Sequence, residues 1–322
     1  MTRLVFVTLV LSAAVLTQPP VEHANAEVNG VRLHYAKSGS GQLMIFLHGF
    51  PEFWYAWKNQ LDEFGRDHFA VAPDMRGYNL SSKPDAVDQY RMPLLIEDVR
   101  ALAAHLGFGV NRKFILVGHD WGGVVAWAYA AAHPESLERL IIVNAPHPTI
   151  FGRELRDNPA QQKASAYMTM FRSPEAEKTL SANGYQLLVG IVLGEGLKQG
   201  HITEADKAAY LEAWSQPGAL TGGLNYYRAA QLGPASPASS PTPSASASAS
   251  VAGGMTAGVV KVPTLVIWGE KDTALLTGNL NGLEAVVPQL TVKRIPLGSH
   301  WVVHEQPEQV NRYIRDFIDS QK

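Results

Sequence analysis

The segment FILVGHDWGGVV, residues 114–125, decides the fold. Phe114–Val117 is an uninterrupted apolar run of the kind that forms a strand buried on both faces. Val124–Ala132 is rich in alanine and reads as a helix. Between them, Gly118, Gly122 and Gly123 permit the close strand–helix approach that a tight Gly-x-nucleophile-x-Gly turn requires. The residue at the apex is Asp120, where a hydrolase usually holds serine. Serine there attacks a carbonyl carbon. A carboxylate is better suited to displacement at a saturated carbon, which leaves an alkyl ester on the protein. An aspartate in this place is also a good helix N-cap, so its role depends on what the chain gathers around it.

Strand and helix signals alternate on both sides of this turn. Val31–Ala36, Leu43–Leu47, Phe69–Ala72, Leu137–Val143, Pro263–Trp268 and Thr291–Ile295 read as strands. Leu94–Leu106 and Pro307–Ile318 carry helical spacing. The alternation predicts an α/β fold, a doubly wound and mostly parallel sheet with helices on both faces. From Pro148 to Ala230 the strand signal fades. Helical patterns over Lys163–Phe171, Glu175–Ser181, Gly184–Leu193, Glu204–Ser215 and Gly222–Ala230 predict an inserted helical lid. Such a lid would cover the carboxyl edge of the sheet, where ligands bind in these folds. Pro234–Ser250, PASPASSPTPSASASAS, is low-complexity and cannot bury a core, which makes it a link. The expected layout is a core of residues 27–147 and 259–322, a lid over 148–230 and a link over 231–258.

A nucleophilic carboxylate needs a base for the second step, an acid to orient that base, and donors for an oxyanion. Asp272, in LVIWGEKDTALL (265–276), follows a strand at its carboxyl end and is the candidate acid. Glu270, two residues nearer the strand, reads as a solvated turn residue. Asn144 follows the preceding strand, but its amide carries no charge. His300 follows the last strand and completes the order Asp120…Asp272…His300, which is nucleophile…acid…base in this fold. His304 reads as a surface or helix-capping residue, and His119 as packing beneath the turn. The backbone N–H groups of Phe50 and Trp121 are the candidate oxyanion donors. His48, Gly49 and Pro51 shape the loop, and a cis Phe50–Pro51 bond would suit it.

These motifs carry a resemblance. HGFPEFWYAW (48–57), APDMRGYNLSSKP (72–84), VGHDWGG (117–123), GEKD (269–272) and SHWVVHEQP (299–307) are similar to those of α/β-hydrolases of the epoxide hydrolase family. The likeness extends over the chain from residue 27 except the Pro/Ala/Ser link. It implies a small-molecule epoxide and water as substrates, and two lid tyrosines that hold the epoxide oxygen. SAYMTMF (165–171) places the first at Tyr167. LNYYRA (224–229) places the second at Tyr227 rather than Tyr226, because Arg228 follows it. Asn79 departs from the family pattern, where a small glycine is common after Gly-Tyr. Chemistry supports the tyrosines independently. Ring opening creates an alkoxide, and a phenol with a reference pKa of about 10 remains a proton donor at neutral pH.

Composition narrows the alternatives. A chain of 322 residues with 46% hydrophobic content can bury a large core. Its formal net charge of −2 and scattered basic residues give no reason to expect nucleic acid or an anionic membrane as partner. There is no cysteine, and the 11 histidines are not clustered like metal ligands, so neither metal nor cofactor is expected. Arg3, the apolar run Leu4–Leu16 and Ala24-Asn25-Ala26 read as an export signal over residues 1–26. That implies a secreted or periplasmic enzyme beginning near Glu27. The apolar run is too short to span a bilayer, which takes about 20 residues. A haloalkane dehalogenase shares fold and nucleophile, but Phe50 lacks the side-chain donor that cradles a halide. Fluoroacetate-type chemistry would want an arginine where Trp121 stands. A non-catalytic binding protein would not need the intact triad, and a serine esterase would need a different elbow.

Overall fold

Four strands form the apolar centre: β3 (Gln42–Leu47), β5 (Phe114–His119), β6 (Leu137–Val143) and β7 (Thr264–Gly269). Their side chains are buried on both faces, as the unbroken apolar runs require. The computed structural model describes residues 19–233 and 258–320, and among these the sheet has eight strands in the order β1-β2-β4-β3-β5-β6-β7-β8. Here β1 is Glu22–Val28, β2 is Val31–Ser38, β4 is His68–Pro73 and β8 is Leu290–Ile295. Pairing is parallel from β4 through to β8, while β1–β2 and β2–β4 are antiparallel. Strand order reverses between β3 and its neighbours β4 and β5, which opens a crevice at the carboxyl ends.

Helices α1 (Lys58–Phe64), α11 (Val302–Glu305) and α12 (Pro307–Asp319) bury Leu61, Phe64, Val310, Ile314 and Phe317 against one face. The other face takes α2 (Met92–His105) and α3 (Asp120–Ala132), whose apolar surface runs on into the helices inserted between β6 and β7. These are α4 (Pro148–Asp157), α5 (Pro159–Ala164), α6 (Tyr167–Arg172), α7 (Ala176–Leu188), α8 (Gly194–Gln199), α9 (Glu204–Ser215) and α10 (Ala219–Ala230). No described helix is long and apolar enough to cross a membrane.

Several boundaries differ from the sequence expectation. The predicted helix Lys163–Phe171 is broken near Ser165, where α5 ends and α6 begins. Glu175–Ser181 and Gly184–Leu193 lie in one segment, α7, interrupted at Ala182–Tyr185, where Asn183, Gly184 and Tyr185 have left-handed backbone; a π turn over Val189–Leu193 follows. Helices α1, α4, α8 and α11 were not anticipated. Nor was β1, because its residues were read as the end of a leader. The expected cleavage after Ala26 would remove Glu22–Ala26 from a seven-residue strand. Ala26 is buried and pairs with Leu33, so these residues belong to the sheet. Residues 1–18 and the link stretch Pro234–Ser250 lie outside the described residues.

Candidate active site

Asp120 stands at the β5–α3 junction with φ of 49°, a left-handed conformation that costs a residue with a Cβ about 1–2 kcal/mol. The glycine at 122 makes the turn possible, since a Cβ there would overlap the Leu47 and His48 backbone of the neighbouring strand end. The Asp120 carboxylate is thereby lifted to the carboxyl edge. Gly49 faces it so closely that an alanine Cβ at 49 would collide with the Asp120 side chain. The loop after β3 brings the Phe50 N–H to 2.8 Å from Asp120 Oδ1. The Phe50–Pro51 bond is cis. His48 Nε2 accepts the Met75 N–H at 3.0 Å, which puts its proton on Nδ1, donated to the Gly49 carbonyl at 2.9 Å. Burial pulls the His48 pKa down, so the ring stays neutral in this structural role. Trp121 is buried in the first turn of α3, where helix N–H groups lack intrahelical acceptors.

The other two candidates arrive from the next strand ends. His300 Nε2 is 3.7 Å from Asp120 Oδ2, and its Nδ1 is 2.7 Å from Asp272 Oδ2. Burial would depress the His300 pKa, but the charges of Asp272 and then Asp120 outweigh it and raise the imidazole to about 9. Burial likewise would raise Asp272, and the His300 charge holds it below the ordinary carboxylate value. Asp272 Oδ1 accepts the Ala274 and Leu275 N–H groups, each at 2.8 Å. Its Oδ2 also accepts the Asn144 amide at 2.8 Å. Asn144 thus supports the acid, which its lack of charge had obscured. Glu270 pairs with Arg294 at 3.0 Å near solvent, as a turn residue would.

Tyr167 on α6 and Tyr227 on α10 face Asp120 across a cavity of about 230 Å³ that also touches Phe50, Phe171, His300 and Trp301. Burial and then the Asp120 charge raise both phenols well above 10, which keeps them protonated. The Trp121 and Tyr227 rings meet edge to face with centroids 5.1 Å apart, and those of Tyr167 and Tyr227 do so at 6.4 Å. Tyr226 points elsewhere, donating to the Arg76 carbonyl at 2.8 Å. Asn79 takes the left-handed backbone that a glycine adopts easily, φ 37°, and its amide donates to Asp74 at 2.9 Å.

A second buried network lies beneath the site. Glu52 is fully enclosed: Oε2 meets His119 Nδ1 at 3.1 Å, while Oε1 meets His304 Nε2 and accepts the Tyr210 hydroxyl at 3.0 Å. Burial would raise the Glu52 pKa, yet the His304 and His119 rings hold it well below the usual range. His119 continues to the His300 carbonyl at 2.9 Å, packing beneath the turn as expected. His304 does not cap or face solvent. It is buried because the Glu52 carboxylate and the Tyr210 hydroxyl of α9 meet it there. The signal for Glu52 was present in the sequence as an acid directly after the loop proline. Among the described residues no cluster of histidine and acidic side chains has the arrangement of a metal site.

Comparison with known proteins agrees with this geometry. Residues 42–307 match the family model of the α/β hydrolase fold. The α/β-hydrolase superfamily protein YfhM of Bacillus subtilis is 38% identical over 297 residues, covering 91% of this chain and 96% of its own. Human epoxide hydrolase 4 is 34% identical over 303 residues, covering 91% of this chain and 77% of its own. The crystal structure of an epoxide hydrolase from Bacillus megaterium with an inhibitor superposes with a TM-score of 0.83 at 36% identity, covering 92% of this chain and all of that one. By sequence, fold and comparison, the chain is an enzyme of the epoxide hydrolase family within the α/β hydrolases.

Proposed function

We propose that the chain opens an epoxide to a vicinal diol in two steps through an ester on Asp120. The observation that carries the reading is the pair of protonated phenols, Tyr167 and Tyr227, set across one cavity from Asp120. In the first step Asp120 Oδ2 bonds to an epoxide carbon as the carbon–oxygen bond breaks. The tyrosines hydrogen-bond the departing oxygen and supply its proton. The inserted helices thereby act as a lid bearing the acid groups.

Ester formation removes the Asp120 charge, one of the causes that raise His300, so the imidazolium becomes more acidic at this point. The imidazolium proton returns to the phenolate that protonated the product oxygen, so both phenols are restored and neutral His300 is ready as base. In the second step His300, oriented by Asp272, takes a proton from water, and the resulting hydroxide bonds to the ester carbonyl carbon. The oxyanion forms on Oδ1, where the Phe50 N–H already lies at 2.8 Å, with the Trp121 N–H as second donor. Such a donor is worth about 2.7–4 kcal/mol. Collapse expels the diol alkoxide, which takes the proton from His300, and the carboxylic acid left at Asp120 gives its proton to His300 to restore the resting pair. In oxygen-18 water a single turnover should put the label into Asp120 and leave the first diol unlabelled. Label in that diol would mean direct attack by water and would remove Asp120 as nucleophile.

The halide alternative is weaker. Phe50 brings only its backbone N–H, which is directed to Asp120 Oδ1, and no side-chain donor to share a halide with Trp121. Export to the periplasm or medium is proposed from Arg3 and Leu4–Leu16, with cleavage upstream of β1 rather than after Ala26. N-terminal sequencing of exported protein should read a residue before Glu22. A start at Glu27 in folded, active protein would show that the strand is dispensable.

A further inference from the structure

We propose that this enzyme selects uncharged epoxides that carry one large apolar substituent and nothing larger than a methyl on the other carbon; the inference rests on Asp120 being the nucleophile. Two cavities share Asp120, Tyr167 and Tyr227 and have no other lining residue in common. One has a volume of about 230 Å³ and extends to Met170, Phe171, Leu188, Ile191, Val192 and Trp301. The other has only about 20 Å³ and is closed by Trp121, Val124, Pro146, Phe151, Leu232 and Leu275. With its oxygen at the two hydroxyls and one carbon at Asp120, an epoxide directs the substituents of its two carbons apart, toward different cavities.

The smaller cavity has room for about one water-sized group, which is a hydrogen or a methyl. A phenyl ring on that side would have to displace Phe151 or Leu275, both buried in the core. The larger cavity opens toward Ile191, which is half exposed, so a long apolar substituent has space there. Neither cavity presents a lysine or arginine among the described residues, and the fixed anionic group they share is Asp120. The His300 ring on the larger side is already engaged by Asp272 at 2.7 Å and faces Asp120 at 3.7 Å, so a carboxylate on the substrate would compete with two acids for it and be repelled by the nucleophile.

The test compares kcat/KM for styrene oxide, trans-β-methylstyrene oxide and trans-stilbene oxide. Overpacking and lost contacts of this size are worth about 10–200-fold in specificity. Styrene oxide should exceed trans-stilbene oxide by about 100-fold, with the methyl compound within about 10-fold of styrene oxide. Phe151→Ala should raise the stilbene-to-styrene ratio by at least about 10-fold. Leu275→Ala opens the same side from a different element and should do likewise, which covers the case in which one variant fails to fold. Met170→Ala, on the larger side, should not raise the ratio. Equal turnover of styrene and trans-stilbene oxides by the wild type, or rescue by Met170→Ala alone, overturns the selectivity. Failure of every neutral epoxide to react, with no oxygen-18 entering Asp120, overturns the nucleophile reading itself and this inference with it.

Discussion

Replacing His300 by glutamine should leave the protein alkylated and almost unable to turn over. Glutamine keeps the size of the side chain but cannot accept a proton from water, and loss of a general base costs typically ~10²–10⁴ in rate. The first step needs no base, so the variant mixed with styrene oxide should gain the mass of one whole epoxide. The adduct should lie on the peptide that contains Asp120. Asp120→Ala should form no adduct and no diol. The same chemistry sets a pH dependence. In the resting enzyme burial lowers His300 while Asp272 and Asp120 raise it, and the balance stands at about 9. Esterification removes the Asp120 contribution and leaves the others, so hydrolysis of the ester should rise with pH through a midpoint below about 9. No adduct on the glutamine variant, with wild-type turnover intact in parallel, would remove His300 from the second step.

Removing both lid hydroxyls, as Tyr167→Phe with Tyr227→Phe, should slow ester formation by ~10²–10⁴. Each single substitution should have a smaller effect, since the partner hydroxyl remains. The two phenols are raised well above 10, by burial and then by Asp120, so they donate throughout the neutral range. Their ionisation should produce no fall in the alkylation rate between pH 7 and about 10. Rapid-quench measurement separates the steps: decay of the ester should be affected far less than its formation. Unchanged alkylation in the double variant, or haloalkane turnover that survives it, would assign the departing group to other donors.

The catalytic core was legible because its chemistry sits in short motifs at strand ends. Asp120, Asp272 and His300 each follow a strand, and a parallel sheet brings such ends to one edge whatever the intervening lengths. Tyr227 was separable from Tyr226 by the arginine that follows, and the structure explains the difference by the bond of Tyr226 to Arg76. What escaped depended on distant partners. His304 looks polar and terminal in the sequence, but its environment is made by Glu52, 252 residues away, and by Tyr210. Strand β1 escaped because alanines suited to a cleavage site also suit an edge strand facing β2. The unequal cavities were illegible because the smaller is closed at once by α4, the loop after β7 and the chain beyond α10, and the larger by α6, the end of α7 and that same loop.

The Tyr226 bond has a consequence beyond telling two residues apart. Successive side chains on a helix point about 100° apart, following from 3.6 residues per turn, so fixing one sets the azimuth of the next. Tyr226 is clamped to the Arg76 carbonyl, and the Arg76 guanidinium is clamped to Asp98 on α2 at 2.6 and 2.7 Å. Asp98 in turn accepts the amide of Asn29, at the tip of the β1–β2 hairpin, at 2.7 Å. The bearing of the Tyr227 hydroxyl is therefore indexed, through four side chains in series, to a hairpin on the far margin of the sheet.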